Sequence, residues 1–121
     1  MASSPSRYRV ELEPTFASLG ELSIAGTMWQ RAVGLLGRRE LAARDGLVIA
    51  PCVQIHTWFM RFPIDVVFLD REDRVVKVVS NLGPFKTAFG GFSARAVLEL
   101  PAGTAATAGV VPGMRVRMVP A

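Results

Sequence analysis

The chain has a single thiol and a single imidazole. Both lie in the segment Cys52-Val-Gln-Ile-His56-Thr-Trp-Phe-Met-Arg61-Phe-Pro-Ile-Asp65. A thiol, an imidazole and an orienting carboxylate are the parts of an activated cysteine nucleophile. Cys52, His56 and Asp65 therefore define one candidate chemistry, that of a hydrolase-type enzyme. The same Cys–His pair is also a partial metal set. Two ligands are too few for a stable zinc site unless Asp65 or Glu99 joins them, so neither a metal nor a cofactor is assigned. Arg61 and Asp65, set among apolar neighbours, read as a shared polar feature: an ion pair or the lining of a ligand pocket.

A structural role competes with each of these. A lone Cys more often packs as a small hydrophobe than attacks a substrate. A lone His on an apolar strand is often a core residue bonded to a carbonyl. An Asp following Pro63-Ile64 can fix a turn by accepting backbone N–H groups. The balance favours structure over catalysis, so no catalytic residue is assigned. Cys52, His56, Arg61 and Asp65 stand as candidate ligand-binding residues.

A second candidate is Gly83-Pro-Phe85-Lys86-Thr-Ala-Phe89-Gly-Gly-Phe92. As a contact loop it would offer Phe85, Lys86, Phe89 and Phe92 to a ligand or a protein. The competing expectation, which we favour, is that the phenylalanines plug the end of a barrel, because exposed aromatic patches are uncommon. No phosphate-loop or dinucleotide-binding glycine pattern occurs.

The elements that position these residues are mostly strands. Arg7 to Glu13 alternates polar and apolar residues, with Tyr8, Val10 and Leu12 on one face. Short apolar runs predict further strands at Leu22–Ala25, Leu47–Ala50, Ile55–Met60, Ala94–Leu100 and Met114–Val119. If Ile55–Met60 is extended, His56, Trp58 and Met60 share one face, and Ile55, Thr57 and Phe59 the other. Cys52 and His56 also share a face if the backbone between them is regular. The clearest hairpin joins Val66–Leu69 to Val75–Val79 across Asp70-Arg-Glu-Asp-Arg74. Both of its strands are apolar at nearly every position, so both faces should be covered. Thr27-Met-Trp-Gln30 is a capping box, and it predicts the one main helix, with Trp29, Ala32, Val33 and Leu36 on its buried face. Glu40–Arg44 predicts a helical turn, and Ala102–Ala108 one helical turn or two.

The chain has 121 residues, half of them hydrophobic and a fifth charged, with 11 Gly and 8 Pro. That length and composition fit a single domain over 1–121, β-rich rather than a helical bundle, with residues 1–6 frayed. One Cys excludes an internal disulfide. The net charge of +4 comes from scattered arginines rather than a run, which argues against nucleic-acid binding. No stretch has signal-peptide or membrane-spanning character, so a cytoplasmic chain without a membrane partner is expected.

Five blocks, in order, resemble a known family. They are T27-x-x-x-R31-x-x-G34-L-L-G-R38, D45-G46-L-V, W58-F-M-R61-F-P63-I-D65-V-V-F-L-D70, V97-L-E-L-P-A-G103 and G109-x-x-P-G113. The family is the bacterial and archaeal domain of unknown function 192, also called uncharacterised protein family 0127, and the resemblance spans about residues 25–119. It implies a β-rich α+β domain: a small, partly closed barrel-like sheet with one main helix. It implies no settled activity. We therefore expect a non-enzymatic accessory module that binds a small molecule or a protein. The alternatives are the Cys52/His56/Asp65 hydrolase and, behind it, a nucleic-acid binder.

Overall fold

The computed structural model describes residues 7–25, 46–57 and 62–121. In chain order the strands are β1 (Arg7–Glu13), β2 (Ser18–Ala25), β3 (Leu47–Ile49), β4 (Gln54–His56), β5 (Ile64–Leu69), β6 (Val75–Leu82), β7 (Thr87–Phe89) and β8 (Ala96–Pro101). A short helix α1 (Thr104–Ala108) and the last strand β9 (Arg115–Pro120) follow. The helix expected from Thr27, the turn at Glu40–Arg44 and the residues Trp58 to Arg61 lie outside the described residues.

Seven strands form one sheet in the order β6-β5-β8-β3-β2-β1-β9. All neighbours are antiparallel except β2 and β3, which run parallel. The two edges of the sheet meet at one end. Arg74 bridges Arg115, the Val75 N–H donates to Met114 O at 2.7 Å, and the Val116 N–H donates to Asp73 O at 2.8 Å. The sheet is therefore a curled half-barrel, as the sequence predicts.

Side-chain alternation gives this sheet two apolar faces. The inner face gathers Val10, Leu12, Leu22, Val48, Val67, Leu69, Leu98, Leu100 and Val116, and α1 packs into it through Ala105. The outer face gathers Leu47, Ile49, Ile64, Val66, Phe68 and Val97. This second core explains why every residue of β5 is buried. A separate two-stranded sheet, β4 with β7, covers the outer face by adding Ile55 and Ala88 to that core. The sequence reading placed β7 inside a loop. Three residues are too few to show a period, and their partner β4 is distant in sequence.

The β5–β6 hairpin forms as expected. Asp70 Oδ1 accepts the N–H groups of Glu72 (2.8 Å) and Arg74 (3.0 Å), and Asp73 takes a left-handed φ of 63° to close the turn. On the solvent side of β1, charges oppose one another in register: Arg9 faces Glu21, Glu11 faces Arg117 and Glu13 faces Arg115. Arg7 reaches Glu21 at 3.6 Å. These arginines are interleaved with acids and do not form a continuous basic face.

Candidate functional site

Asp65 is fully buried on β5, on the same side as Val67 and Leu69, so it points to the inner face. Its Oδ1 accepts the Asn81 N–H at 2.8 Å. Its Oδ2 accepts the N–H groups of Gly103 at 3.0 Å and Ala105 at 2.9 Å. Two of these donors belong to the start of α1, where Gly103 itself offers no side-chain cap. The third belongs to β6, where the ladder slips between Ile64 and Val66 and Asn81 adopts φ 54°. One carboxylate thus ties the helix start and a strand irregularity to the centre of the sheet. All three partners are main chain, and neither His56 nor Cys52 is among them.

Cys52 and His56 stand elsewhere. Cys52 is half-buried against the outer core, and its thiol donates to Gln54 O at 3.1 Å. His56 is exposed on β4, while Ile55 and Thr57 point inward. The predicted alternation is present over residues 55–57, with Trp58, Phe59 and Met60 outside the described residues, but Cys52 and Asp65 face opposite sides of the large sheet. Arg61 lies outside the described residues. Among those described, no three of His, Cys, Asp and Glu converge in a way that could hold a metal ion. An open groove of about 830 Å³ runs between β2 and α1, lined by Arg9, Leu19, Glu21, Pro101 and Thr104 among others. Cys52, His56 and Asp65 do not line it.

The 83–92 segment departs from the expected barrel plug. Phe85 is 74% exposed, Phe92 96% and Phe89 41%, and Val53 beside them is 41% exposed. Phe89 and Phe92 meet edge to face at 5.4 Å. The inner core takes in Ala105 of α1 and Val110, and none of the three phenylalanines belongs to it. Alternation on β7 instead turns Ala88 inward and Phe89 outward.

Buried Thr57 fixes this loop. Its hydroxyl donates to Gly83 O at 2.6 Å and accepts the Lys86 N–H at 3.0 Å. Its own N–H donates to Lys86 O, and its carbonyl accepts from Phe85, which is held at φ 59°. Lys77 Nζ adds a bond to Phe89 O at 2.8 Å. Thr57→Val keeps the shape and removes the hydroxyl. It should destabilise the loop by about 1–3 kcal/mol, seen as faster amide exchange confined to residues 83–86.

One polar residue was named in the sequence only as a possible additional metal ligand. Glu99 on β8 is 1% exposed, lies between Leu47 of β3 and Val66 of β5, and shares the outer face with Val97. Its Oε2 has no hydrogen-bond partner among the described residues, and burial pushes its carboxyl up to about 7. The signal for it was legible: a Glu within Val-Leu-Glu-Leu-Pro of a strand covered on both faces cannot reach water.

The curled sheet with a short helix at its inner face and a small second sheet outside defines a compact class of half-barrel proteins. Two crystal structures share it. One, from Sinorhizobium meliloti and described as a candidate transcription regulator, aligns at a TM-score of 0.80 with 24% identity, covering 98% of each chain. The other, a protein of unknown function from Novosphingobium aromaticivorans, aligns at 0.75 with 26% identity over 90% of this chain and 83% of its own. The sequence profile of DUF192, described as "Uncharacterized ACR", matches residues 10–118. A UPF0127 protein of Pyrococcus horikoshii is 38% identical over 90 residues, 69% of this chain and 75% of that protein. The chain belongs to the DUF192 (UPF0127) family.

Proposed function

We propose that this protein is a non-enzymatic accessory module that docks a protein partner on the outer face of the β4–β7 sheet. The partner surface is an apolar segment bordered by acidic residues. The observation that carries this reading is the exposure of Phe85, Phe89 and Phe92, held out by a loop whose backbone is tightly bonded. An ordered loop presents aromatic side chains at little entropic cost, and such anchors dominate binding energy at protein interfaces.

Charge supports the choice of partner. The segments around the β4–β7 sheet, 50–57 and 74–95, contain no Asp or Glu. They do contain Lys77, Lys86 and Arg95, and His56 is exposed on the same face. An apolar centre with a cationic border complements an acidic rim.

The test is fluorescence anisotropy with synthetic peptides carrying Leu and Phe flanked either by Glu or by Lys. The Glu-flanked peptide should bind, more weakly as salt rises, and Phe85→Ser with Phe92→Ser should weaken it at least tenfold without lowering Tm. Equal binding of the Lys-flanked peptide, or unchanged binding by the double variant, overturns the proposal. So does concentration-dependent dimerisation in sedimentation velocity that the double variant abolishes, since the face would then belong to a second copy of this chain.

A further inference from the structure

We infer that the Glu99 carboxyl is a proton switch for the packing on the outer face: neutral, it sits within the apolar layer; ionised, it drives that layer to open. The described side chains on either side of it are apolar. β3 presents Leu47 and Ile49 to this face, and β5 presents Ile64, Val66 and Phe68. None of these can titrate or donate a hydrogen bond from its side chain. Asp65, on the neighbouring strand, points to the inner face and is already occupied by three backbone donors. From β6, Lys77 lies on the outer side two strands from Glu99, and its ammonium is bonded to Phe89 O. From β4, His56 faces solvent, and the nearby thiol of Cys52 is turned to Gln54 O. No cation among the described residues meets the carboxylate.

A carboxyl in such a place keeps its proton to a higher pH than usual. Burial alone raises it from 4.5 to about 7. When a solvent base removes that proton, the oxygen pair becomes charged with Oε2 unpartnered. Opening the layer to water relieves that charge. The sign follows from linkage: the closed form holds the proton more tightly than the open one. Closed-state stability is therefore complete below about 4.5, falls as pH rises, and levels off above about 7.

This inference concerns packing in the isolated protein and stands apart from the docking proposal, although the outer layer carries both. Amide hydrogen exchange of the full chain, corrected for intrinsic rates, reads the opening equilibrium for β3, β8 and residues 85–92. Between pH 5.5 and 8 the opening constant should rise roughly 30-fold in the wild type and stay flat in Glu99→Gln. A parallel rise in both proteins overturns the inference. Should Glu99→Gln fail to fold, infrared titration of the protonated carboxyl stretch in the wild type decides. Loss of that band near pH 7 supports the switch, and loss near pH 4.5 refutes it. Neither experiment uses a peptide, so a negative result here leaves the docking proposal standing, and the reverse also holds.

Discussion

Asp65→Ala should lower the free energy of unfolding by about 3–5 kcal/mol, read as a fall in the urea midpoint with an unchanged slope. The carboxylate is fully buried and accepts three backbone N–H groups, from Asn81, Gly103 and Ala105. Alanine leaves all three donors without an acceptor, in a site closed to water. Bonds to a charged acceptor contribute about 1.5–3 kcal/mol each, and the stranded donors add their own desolvation. Asp65→Asn should fall between wild type and alanine. The amide has one acceptor oxygen and one donor nitrogen, so it must set an N–H against either Asn81 or the α1 pair. A loss below about 1 kcal/mol for the alanine variant would show that the three bonds do not hold α1 to the sheet.

The second large effect is expected at Gly90. A Cβ built there would overlap Phe68 Cδ1 and Cγ. Phe68 is fully buried in the outer core. Gly90→Ala must therefore lift the β4–β7 layer or twist the ring, at a cost of about 2–3 kcal/mol. Gly91→Ala is the control. Its φ of +95° is unfavourable for alanine, but no atom lies within 4 Å, so the conformational cost of about 1 kcal/mol stands alone. Pairing Gly90→Ala with Phe68→Leu should recover part of the loss. A double-mutant cycle with no coupling between the two sites would contradict the contact.

These effects also show how the site is distributed. Cys52, His56 and Asp65, the described candidates of the 52–65 segment, stand apart from one another. Asp65 works as an inner anchor, His56 lies on the solvent side of the outer sheet, and Cys52 packs beneath it. The aromatic loop is the feature the structure turned around. From sequence, burial of Phe85, Phe89 and Phe92 was the economical expectation. Whether a loop phenylalanine is buried depends on which side of its strand it takes, and β7 turns Ala88 rather than Phe89 toward the core.

The sequence alone determined the local periods and the turns. Alternation in Arg7–Glu13 gave β1, the apolar run Val66–Leu69 announced that β5 is covered on both sides, and Asp70 marked the hairpin turn, whereas β6, expected to be covered as well, lies at a sheet edge and is largely half-buried or exposed. It also set apart the blocks that place the chain in its family. These features are legible because they depend on neighbours within a few residues, where a period of two and a turn chemistry are fixed by the backbone. Tertiary structure decided what required distant partners. Examples are β4 pairing with β7, Asp65 meeting α1 from 38 and 40 residues away, and the meeting of β6 and β9 that curls the sheet. Which face of a doubly covered strand receives a carboxylate is likewise decided only when the sheet has two sides with different covers. That is why Asp65 finds three donors on the inner side while Glu99 Oε2 meets no partner among the described residues on the outer.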